Sequence, residues 1–409
     1  MSKVNLAIVG AGLVGGDFID QVASYNTRNP STPLNVISIS KSRTALLSQD
    51  FAPISLTNWR DALASATTAA PSPAELAQWL STSPLPVILV DNTSSPDMAD
   101  AYPLFASKKI HIATPNKKAF SSSNELFQKI QAAAKESGAL IYHEASVGAG
   151  LPVISTLNDL VATGDRVTKI EGIFSGTLSY IFNEWSPSAG PGTAAFSDVV
   201  RVAKEKGYTE PDPRDDLNGL DVARKLTILA RLSGLEIESP TSFPVHSLIP
   251  SALESATSGD EFLAGLPAHD SEIAQLRTDA ESKGQVIRFV GSIDVASKSV
   301  AVKLAAFEKS HPFASLKGSD NIISFYTERY GASPLIVQGA GAGAAVTAMG
   351  VLADCLKIAG RVLSTLHPNT HLEVLNPGCV YVTVHPVRFA DTLDTNSGLK
   401  RPSSRLCTA

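Results

Sequence analysis

The sequence predicts an α/β protein with a doubly wound parallel sheet, followed by a second, α+β domain with a mixed sheet. Three observations predict this fold class. Short apolar runs alternate with helical patterns over residues 1–142, and a glycine-rich turn separates the first run from the first helix. Beyond about residue 144 the alternation stops, and longer β-type segments appear instead.

The first unit begins with a strand from Val4 to Val9, a glycine turn and a helix whose apolar residues recur at helical spacing. Strands that alternate with helices imply a parallel sheet with right-handed crossovers. Four further strands are expected at residues 35–40, 87–90, 110–113 and 139–142, with helices at 74–80, 97–107 and 124–137.

The second unit starts with a glycine loop and a helix at residues 153–162. Residues 286–307 indicate two or three strands, and residues 324–337 indicate two more. A helix over 344–359 is expected to return to the first unit. We therefore assign 1–142 and 340–363 to the first domain, 143–152 and 285–339 to a linking sheet, and 153–284 to a substrate region. Prolines and clustered Ser and Thr in residues 364–409 predict a disordered or atypical tail.

Composition excludes several classes of function. The net charge is −5, from 34 Lys and Arg against 39 Asp and Glu, so no basic face for nucleic acid is expected. No apolar run reaches the roughly 18 residues of a membrane helix, and no secretory signal precedes the first strand. A cytoplasmic protein is expected. Three cysteines (Cys355, Cys379 and Cys407) and scattered histidines indicate neither a disulfide framework nor a zinc site.

The turn Gly10-x-Gly12-x-x-Gly15 has the spacing of a dinucleotide-binding fingerprint, and it lies between a strand and a helix as that motif requires. Gly10 allows the tight turn, Gly12 lets a pyrophosphate approach the backbone, and Gly15 permits close helix packing. We expect the cofactor to contact Gly10, Gly12, Leu13, Val14 and Gly15. The alternative, a glycine turn without a ligand, is less favoured in this context.

The second strand lacks the carboxylate that usually binds the ribose 2′-hydroxyl about 20 residues after the fingerprint. Lys41 and Arg43 stand there instead. They favour NADP over NAD if they meet a 2′-phosphate, and two solvated basic residues in a loop are an equally good interpretation.

Two later loops follow strands at the edge where such sheets bind ligands. Thr93 and Ser94 follow the third strand and are candidates for cofactor contact, whereas Asn92 is interpreted as a turn residue. Lys117 follows the fourth strand and is a candidate for substrate or nicotinamide contact. A lysine on the surface is the plain alternative.

The segment from Gly207 to Lys225 is the richest in chemistry. Five carboxylates, two prolines and two glycines occur within these 19 residues. Asp221 and Lys225 are spaced i, i+4 on one face of a predicted helix, beside its apolar stripe. An exposed salt bridge would show the same spacing, but the carboxylates in the rigid loop before it favour a site.

Long motifs in this chain resemble homoserine dehydrogenases of the fungal, monofunctional type. They occur in the family's order over residues 3–363, and the chain is too short for a fused aspartokinase. The motifs are GAGLVG, VDNTSS, ATPNKKAF, EASVGAGLP, EGIFSGTLSYIFNE, GYTEPDPRDDLNGLDVARK, HPFASLKGSDN and QGAGAGAAVTAMGVL.

The resemblance implies a Rossmann-like first domain and an NAD(P)-dependent interconversion of aspartate 4-semialdehyde and homoserine, on the route to threonine, methionine and isoleucine. It implies that Lys225 is the general acid and base, that Glu210 and Asp221 hold the substrate ammonium, and that Lys117 lies where substrate meets cofactor. By the same resemblance Gly176, Thr177 and Tyr208 line the substrate pocket, and Thr93, Gly207 and Gly343 lie near the nicotinamide nucleotide.

The resemblance also implies a monovalent cation, usually sodium, bound by Glu144 and by the carbonyls of Val147, Ala149 and Leu151. It implies a homodimer joined through the second sheet. Small molecules are the only other expected partners.

Two rival functions are weaker. An aspartate semialdehyde dehydrogenase needs a nucleophilic cysteine ahead of the substrate domain, and no cysteine precedes Cys355. A non-catalytic dinucleotide sensor would have little reason to keep Glu210, Asp221 and Lys225 together. Burial would lower the pKa of Lys225 and Asp221 would raise it, and the sequence leaves open which effect is larger.

Overall fold

The computed structural model describes residues 3–32 and 34–366, so the predicted tail lies outside the described residues from residue 367 onward. The first part of the chain contains β1 (Val4–Val9), α1 (Leu13–Arg28), β2 (Leu34–Ser40), β3 (Ala45–Leu47), α2 (Trp59–Ala64), α3 (Pro73–Leu80), β4 (Val87–Asp91), α4 (Pro96–Asp100), α5 (Tyr102–Ser107), β5 (His111–Ala113), α6 (Lys118–Ser121), α7 (Asn124–Ser137) and β6 (Ile141–Tyr142).

The second part begins with a 3₁₀ turn at Glu144–Ser146, and two more such turns lie at Ser251–Leu253 and Leu266–His269. Its other elements are α8 (Val153–Ala162), β7 (Val167–Ile173), α9 (Gly176–Trp185), α10 (Phe196–Glu205), α11 (Arg214–Leu217), α12 (Leu220–Leu232), α13 (Gly259–Gly265), α14 (Asp270–Glu281), β8 (Gln285–Asp294), β9 (Ser299–Glu308), α15 (Pro312–Ser315), β10 (Asp320–Thr327), β11 (Leu335–Ala340) and α16 (Ala344–Leu366).

The first sheet has the strand order β3-β2-β1-β4-β5-β6. All its pairings are parallel except that of β2 with the edge strand β3. This confirms the doubly wound α/β prediction. Strand β3 was not predicted, because three residues are too few to show a strand periodicity. The single helix expected at 97–107 is two helices, because Pro103 near the start of α5 has no amide for an unbroken helical ladder.

Helices cover both faces of this sheet. On one face, α1 and α16 bury Phe18, Ile19, Val351 and Cys355 against β1. On the other face, α3, α5 and α7 pack around a cluster that includes Leu76, Tyr102, Phe105 and Ile130. The late helix α16 therefore returns to the first sheet, as its apolar sequence predicted.

The second sheet has the order β11-β10-β7-β8-β9. A mixed sheet was expected here, but every pairing between these strands is antiparallel. Short connections join β8 to β9 and β10 to β11, and connections of that length join only antiparallel strands. Among the described residues, parallel pairing in this region is limited to the isolated bridge between Val245 and Val302.

Helices α9 and α12, which carry several of the predicted site residues, pack against β8. Over the described part of the chain, no helix combines the length and the apolar character needed to cross a membrane.

Candidate active site

The glycine turn lies where the strand order of the first sheet changes direction. β1 pairs with β2 on one side and with β4 on the other, and the crevice between such strand ends is where open α/β sheets bind ligands. The loops after β1 and β4 touch there, since a Cβ added to Gly10 would lie 2.6 Å from Cγ2 of Thr93. The structure thus brings two predicted cofactor residues together.

The three fingerprint glycines differ in what they permit. Gly10 has a φ of +87°, which side-chain-bearing residues rarely adopt. A Cβ on Gly15 would lie 1.9 Å from the carbonyl oxygen of Gly10, so the helix could not approach the turn. A Cβ on Gly12 would meet nothing within 4 Å. The fold therefore requires Gly10 and Gly15, whereas the space beside Gly12 is open to a ligand.

The start of α1 is suited to an anion. No side chain caps this helix, so the first amides, those of Leu13, Val14 and Gly15, have no partner within the helix. The helix dipole adds positive potential at the same place. A dinucleotide's pyrophosphate fits this end of the helix, beside the open space at Gly12.

Asn92, beside the glycine turn, has a side-chain amide that is unpaired within the described part of the chain. Both polar atoms of its side-chain amide are buried without a hydrogen-bond partner among the described residues. Its Cβ lies 3.5 Å from the position of a Cβ on Gly15, so Asn92 packs against the start of α1. Buried amides are rarely left unpaired, because the loss of hydration costs free energy. The sequence analysis interpreted Asn92 only as a turn residue. Ser94, in the same loop, is exposed.

Asp91, at the end of β4, ties two ligand-facing loops together. One carboxylate oxygen accepts hydrogen bonds from the amide and hydroxyl of Thr93, at 2.9 and 2.6 Å. The other accepts from the Tyr102 hydroxyl at 2.7 Å and from Nδ2 of Asn116 at 3.0 Å. Burial raises the pKa of Asp91 even though these bonds favour its charged form. The cofactor loop and the Lys117 loop therefore share one buried support.

Lys41 and Arg43 lie in the loop next to the glycine turn. The carbonyl oxygen of Ser40 accepts hydrogen bonds from the amides of Gly10 and Ala11, at 3.0 and 3.1 Å. This fixes the end of β2 against the turn. Both basic side chains that follow are exposed, which leaves them available to a 2′-phosphate and also satisfies the solvated alternative.

An ion triad of one buried lysine and two half-buried partners joins the two parts of the chain. Asp221 places one carboxylate oxygen 2.8 Å from Nζ of Lys225 and the other 3.5 Å from Nζ of Lys117. Nζ of Lys225 also donates to the carbonyl oxygen of Phe174 at 2.6 Å. Lys225 is only 7% exposed. This excludes the simple surface salt bridge that its spacing from Asp221 also allowed.

The triad perturbs the acid–base properties of its members. Burial lowers the pKa of Lys225, and the positive charge of Lys117 lowers it further, against the opposing effect of Asp221. Burial raises the pKa of Asp221, but the two lysines outweigh this and hold it well below its usual range. Asp221 is therefore ionised, and Lys225 gives up its proton more readily than an ordinary lysine.

The loop between α10 and α12 is anchored by Asp216. One of its carboxylate oxygens lies 2.9 Å from Oγ1 of Thr177, which is also 2.6 Å from the carbonyl oxygen of Tyr208. The other oxygen accepts from the amide of Glu210 at 2.8 Å. Burial raises the pKa of Asp216, and the Glu210 carboxylate adds to this effect. Three predicted pocket residues thus meet at Asp216, which the sequence showed only as one of five carboxylates.

The remaining predicted residues are more loosely placed. Tyr208 packs its ring edge against Tyr180, with 4.9 Å between the ring centroids. A Cβ on Gly176 would lie 3.7 Å from Cβ of Ala342, so the loop of Gly343 borders the start of α9. Gly207, with a φ of +70°, ends the turn after α10. The carboxylate of Glu210 is exposed at the rim of this region.

The proposed cation residues lie in the turn between β6 and α8. The buried carboxylate of Glu144 accepts hydrogen bonds from the amides of Ile154, at 2.6 Å, and Ser155, at 3.0 Å, and so caps α8. The carbonyl of Leu151 accepts from the amide of Val153 at 2.8 Å. Ala149 has a φ of +53°. The carboxylate of Glu144 and the carbonyl oxygen of Leu151 thus already accept hydrogen bonds within the protein.

Comparisons with known proteins agree along most of the chain. A family model of homoserine dehydrogenase matches residues 152–356, and a model of the homoserine dehydrogenase NAD binding domain matches residues 10–144. The homoserine dehydrogenase of Schizosaccharomyces pombe is 58% identical over 371 residues, which cover 90% of this chain and 98% of that protein.

Two solved structures share the fold. A Candida auris protein of unknown function is 50% identical, with a TM-score of 0.84 over 88% of this chain and 99% of that one. A hyperthermophilic archaeal homoserine dehydrogenase in complex with NADPH is 23% identical, with a TM-score of 0.65 over 87% of this chain and 97% of its own. The two family models and the Schizosaccharomyces pombe relative show that the chain belongs to the homoserine dehydrogenase family of NAD(P)-dependent oxidoreductases.

Proposed function

We propose that Lys225 is the acid–base residue that exchanges a proton with the hydroxyl group of homoserine. The reaction of the family interconverts L-homoserine and L-aspartate 4-semialdehyde, and bound NAD(P)⁺ accepts the hydride from the carbinol carbon. In that direction the neutral amine of Lys225 takes the hydroxyl proton. In the reverse direction its ammonium returns the proton to the aldehyde oxygen as negative charge develops there.

The observation that carries this proposal is the buried Lys225 within the ion triad. A lysine acts as a base near neutral pH only if its pKa is lowered, and burial together with Lys117 lowers that of Lys225. Asp221 is ionised beside it and orients the amine at 2.8 Å. The amine of Lys225 also donates a hydrogen bond to the carbonyl oxygen of Phe174, which further fixes its orientation.

The substrate's own charges fit the surrounding residues. We propose that Glu210 and Asp221 hold the ammonium group of homoserine, and that Lys117 lies between substrate and nicotinamide. Gly176, Thr177 and Tyr208 would form the pocket wall, because Thr177 and Tyr208 already contact each other beside Asp216. On the cofactor side, Gly10, Gly12, Leu13, Val14, Gly15 and Thr93 would hold the dinucleotide, with Ser94, Gly207 and Gly343 at its margin.

The test compares Lys225→Ala with Lys129→Ala, a control at an exposed lysine of α7. Absorbance at 340 nm would follow homoserine-dependent reduction of the cofactor. We expect Lys225→Ala to lower kcat by about 10²-fold or more, the usual scale for loss of a general acid or base, with NADPH affinity retained. The control should keep its activity. Full activity in Lys225→Ala would contradict the assignment, and it would instead suit a non-catalytic role for this side chain.

We further propose that NADP is the preferred cofactor, bound through its 2′-phosphate by Lys41 and Arg43. Their place beside the glycine turn supports this, as does the NADPH complex of the archaeal relative. Replacing both residues by alanine should raise KM for NADP by about tenfold or more, since each charge-assisted contact is worth roughly 1.5–3 kcal/mol, and should leave KM for NAD unchanged. Equal effects on both cofactors would argue against the proposal.

We propose that the turn with Glu144, Val147, Ala149 and Leu151 binds a monovalent cation, sodium being the best candidate. Its ligands would all be oxygens, which suits a hard cation, although Glu144 also caps α8. Thermal unfolding in sodium, potassium and choline chloride at equal ionic strength tests this. A higher Tm in sodium, lost in Glu144→Gln, would support the site. Identical unfolding curves in the three salts would contradict the proposed cation site.

We propose a homodimer joined through the second sheet. Strand β11 leaves alternate residues exposed, including Ile336, which is 38% exposed. Sedimentation equilibrium would distinguish a dimer from a monomer, and Ile336→Asp should shift the population toward the monomer. A wild-type monomer at micromolar concentration would contradict the proposal.

A further inference from the structure

Arg231, in the last turn of α12, is a buried cation that forms no salt bridge among the described residues. It is 6% exposed, and its guanidinium donates to four main-chain carbonyls. Two acceptors follow α12, the carbonyls of Ile237 and Glu238, both at 2.9 Å. The other two belong to the end of α6, the carbonyls of Phe120 and Ser122, both at 2.6 Å. Burial lowers its pKa to about 10, so it is charged at neutral pH.

The α6 turn that Arg231 holds is also the turn that carries Lys117. The carbonyl oxygen of Lys117 accepts hydrogen bonds from the amides of Phe120 and Ser121, at 3.0 and 2.9 Å. Phe120 is fully buried and stacks on His143, with 3.8 Å between ring centroids. Lys117 and Phe120 therefore belong to one rigid turn, and whatever fixes its end also fixes the base of the Lys117 side chain.

Contacts join α6 to α12 at both ends of this turn. At the start of α12, Lys117 pairs with Asp221 over 3.5 Å, and the two side chains are 30% and 44% exposed. Ion pairs that are this exposed are screened by solvent and typically stabilise a protein only slightly. At the end of α12, Arg231 makes two short charge-assisted hydrogen bonds to α6 in a buried setting, where such bonds are stronger than exposed ones. The arginine, rather than the ion pair, is thus the stronger connection.

We propose that Arg231 is a positioning residue that holds Lys117 at its place beside Asp221 and the reacting groups. It would act in the reaction only through Lys117. The inference rests on the proposed roles of Lys117 and Lys225, and it adds a link from the end of α12 to the site at its start. One guanidinium would thus set how the dinucleotide-binding part of the chain meets the catalytic helix.

The inference predicts a change in pH dependence as well as in rate. Three charged groups face Lys225, namely Asp221 on its own helix, Lys117 from α6 and Asp216 from the preceding loop. Of these, Lys117 lowers the pKa of Lys225, whereas the two carboxylates raise it. If α6 is loosened and Lys117 moves away, the pKa of Lys225 rises. The pH at which homoserine oxidation gains activity should rise with it.

The experiment is a double-mutant cycle with Arg231→Lys and Lys117→Met, assayed by kcat/KM for homoserine. Lysine keeps the charge at 231 but cannot reach four carbonyls. We expect Arg231→Lys to lower kcat/KM by about tenfold or more, the scale of a misplaced catalytic group, and to cost less than about twofold in the Lys117→Met background. If Arg231→Lys lowers kcat/KM as much in the Lys117→Met background as in the wild type, the inference is overturned. Full activity of Arg231→Lys would overturn it as well. Full activity of Lys117→Met would instead overturn the proposed role of Lys117.

Arg288 provides the matched control. It is also fully buried, donates only to main-chain carbonyls, and lies in β8 rather than at the α6 contact. Arg288→Lys should lower Tm without moving the pH profile, whereas Arg231→Lys should move the profile to higher pH. If Arg231→Lys and Arg288→Lys lower Tm equally and neither moves the pH profile of activity, Arg231 has only a structural role. If Arg231→Lys does not fold, Arg231→Gln, which removes the buried charge and keeps two donors, takes its place.

Discussion

Single side chains at the crevice show which groups serve the fold and which await a ligand. Asp91 has four hydrogen-bond donors from within the protein, whereas its neighbour Asn92 has none among the described residues. Asp91 is therefore part of the framework. Asn92, one residue later, has polar atoms that only a bound molecule or solvent can satisfy.

This contrast gives a prediction for Asn92→Ala. The variant should be as stable as the wild type without cofactor, because the amide makes no bond within the described protein and its Cβ packing is kept. Its affinity for NADPH should fall by about tenfold, as expected for a lost hydrogen bond of roughly 1–1.5 kcal/mol. Thermal unfolding and fluorescence titration measure the two quantities. A Tm drop of several degrees with unchanged affinity would show that Asn92 serves the fold instead.

At the scale of elements, the glycine turn and α1 offer a matched pair of substitutions. Gly15→Ala would place a methyl carbon 1.9 Å from the Gly10 carbonyl oxygen, so α1 must shift. Gly12→Ala would meet no protein atom within 4 Å. We expect Gly15→Ala to destabilise the protein by several kcal/mol, as overpacking against backbone does.

Gly12→Ala should instead unfold at the wild-type temperature and bind NADPH at least about tenfold more weakly, because the methyl group occupies the place of the pyrophosphate. Circular dichroism melts and equilibrium titration test both variants. Tight NADPH binding by Gly12→Ala would mean that the pyrophosphate does not lie over this turn.

Elements with a strong local pattern were predictable from sequence, and those set by long-range contacts were not. The bounds of β1, α7 and α8 agree with the predicted ones because apolar spacing marks all three, and Ser123 and Gly138 also cap the two ends of α7. The short strand β3 and the break between α4 and α5 were not predicted, since each depends on only a few residues. The division into domains stays a prediction.

The site was predictable in its residue types but not in its connections. The sequence marked Asp221 and Lys225 as a pair on one helix face, and it marked Lys117, more than 100 positions earlier, as a separate candidate. Only the folded chain shows that one carboxylate pairs with both lysines. It also shows Asp216, Asn92 and Arg231, whose importance depends on which backbone atoms they meet and therefore leaves no local pattern.

At the scale of the whole molecule, α16 ties the end of the described chain to the turn between the two sheets. Asp354 on α16 is fully buried, and its carboxylate accepts from the amide of Glu144 at 2.8 Å. Burial raises its pKa to about 6, although the hydrogen bond and Lys357 oppose this. The folded state therefore binds a proton that the unfolded state, with a pKa near 3.8, releases.

This linkage predicts the effect of Asp354→Asn on stability. The contribution of the protonated carboxyl is fully present below about pH 4 and is lost as pH rises through about 6. At pH 8 the neutral amide should therefore stabilise the protein by about 1–3 kcal/mol relative to wild type, with the difference gone near pH 4. Chemical unfolding at both pH values measures this. A variant that is less stable at pH 8 would show that the ion pair with Lys357 outweighs burial.

Lys225 is the centre of the proposed mechanism, as a base whose pKa is set by burial, Lys117 and Asp221. The most direct measurement is the pH profile of kcat/KM for homoserine oxidation, in wild type and in Asp221→Asn. We expect kcat/KM to rise with pH, with a midpoint below pH 10.5, the ordinary pKa of a lysine side chain. We also expect the rise to move to lower pH in Asp221→Asn, however slow that variant is, because the carboxylate that raises the pKa is gone. A rise that does not move, or that moves to higher pH, would contradict the assignment of Lys225 as the base.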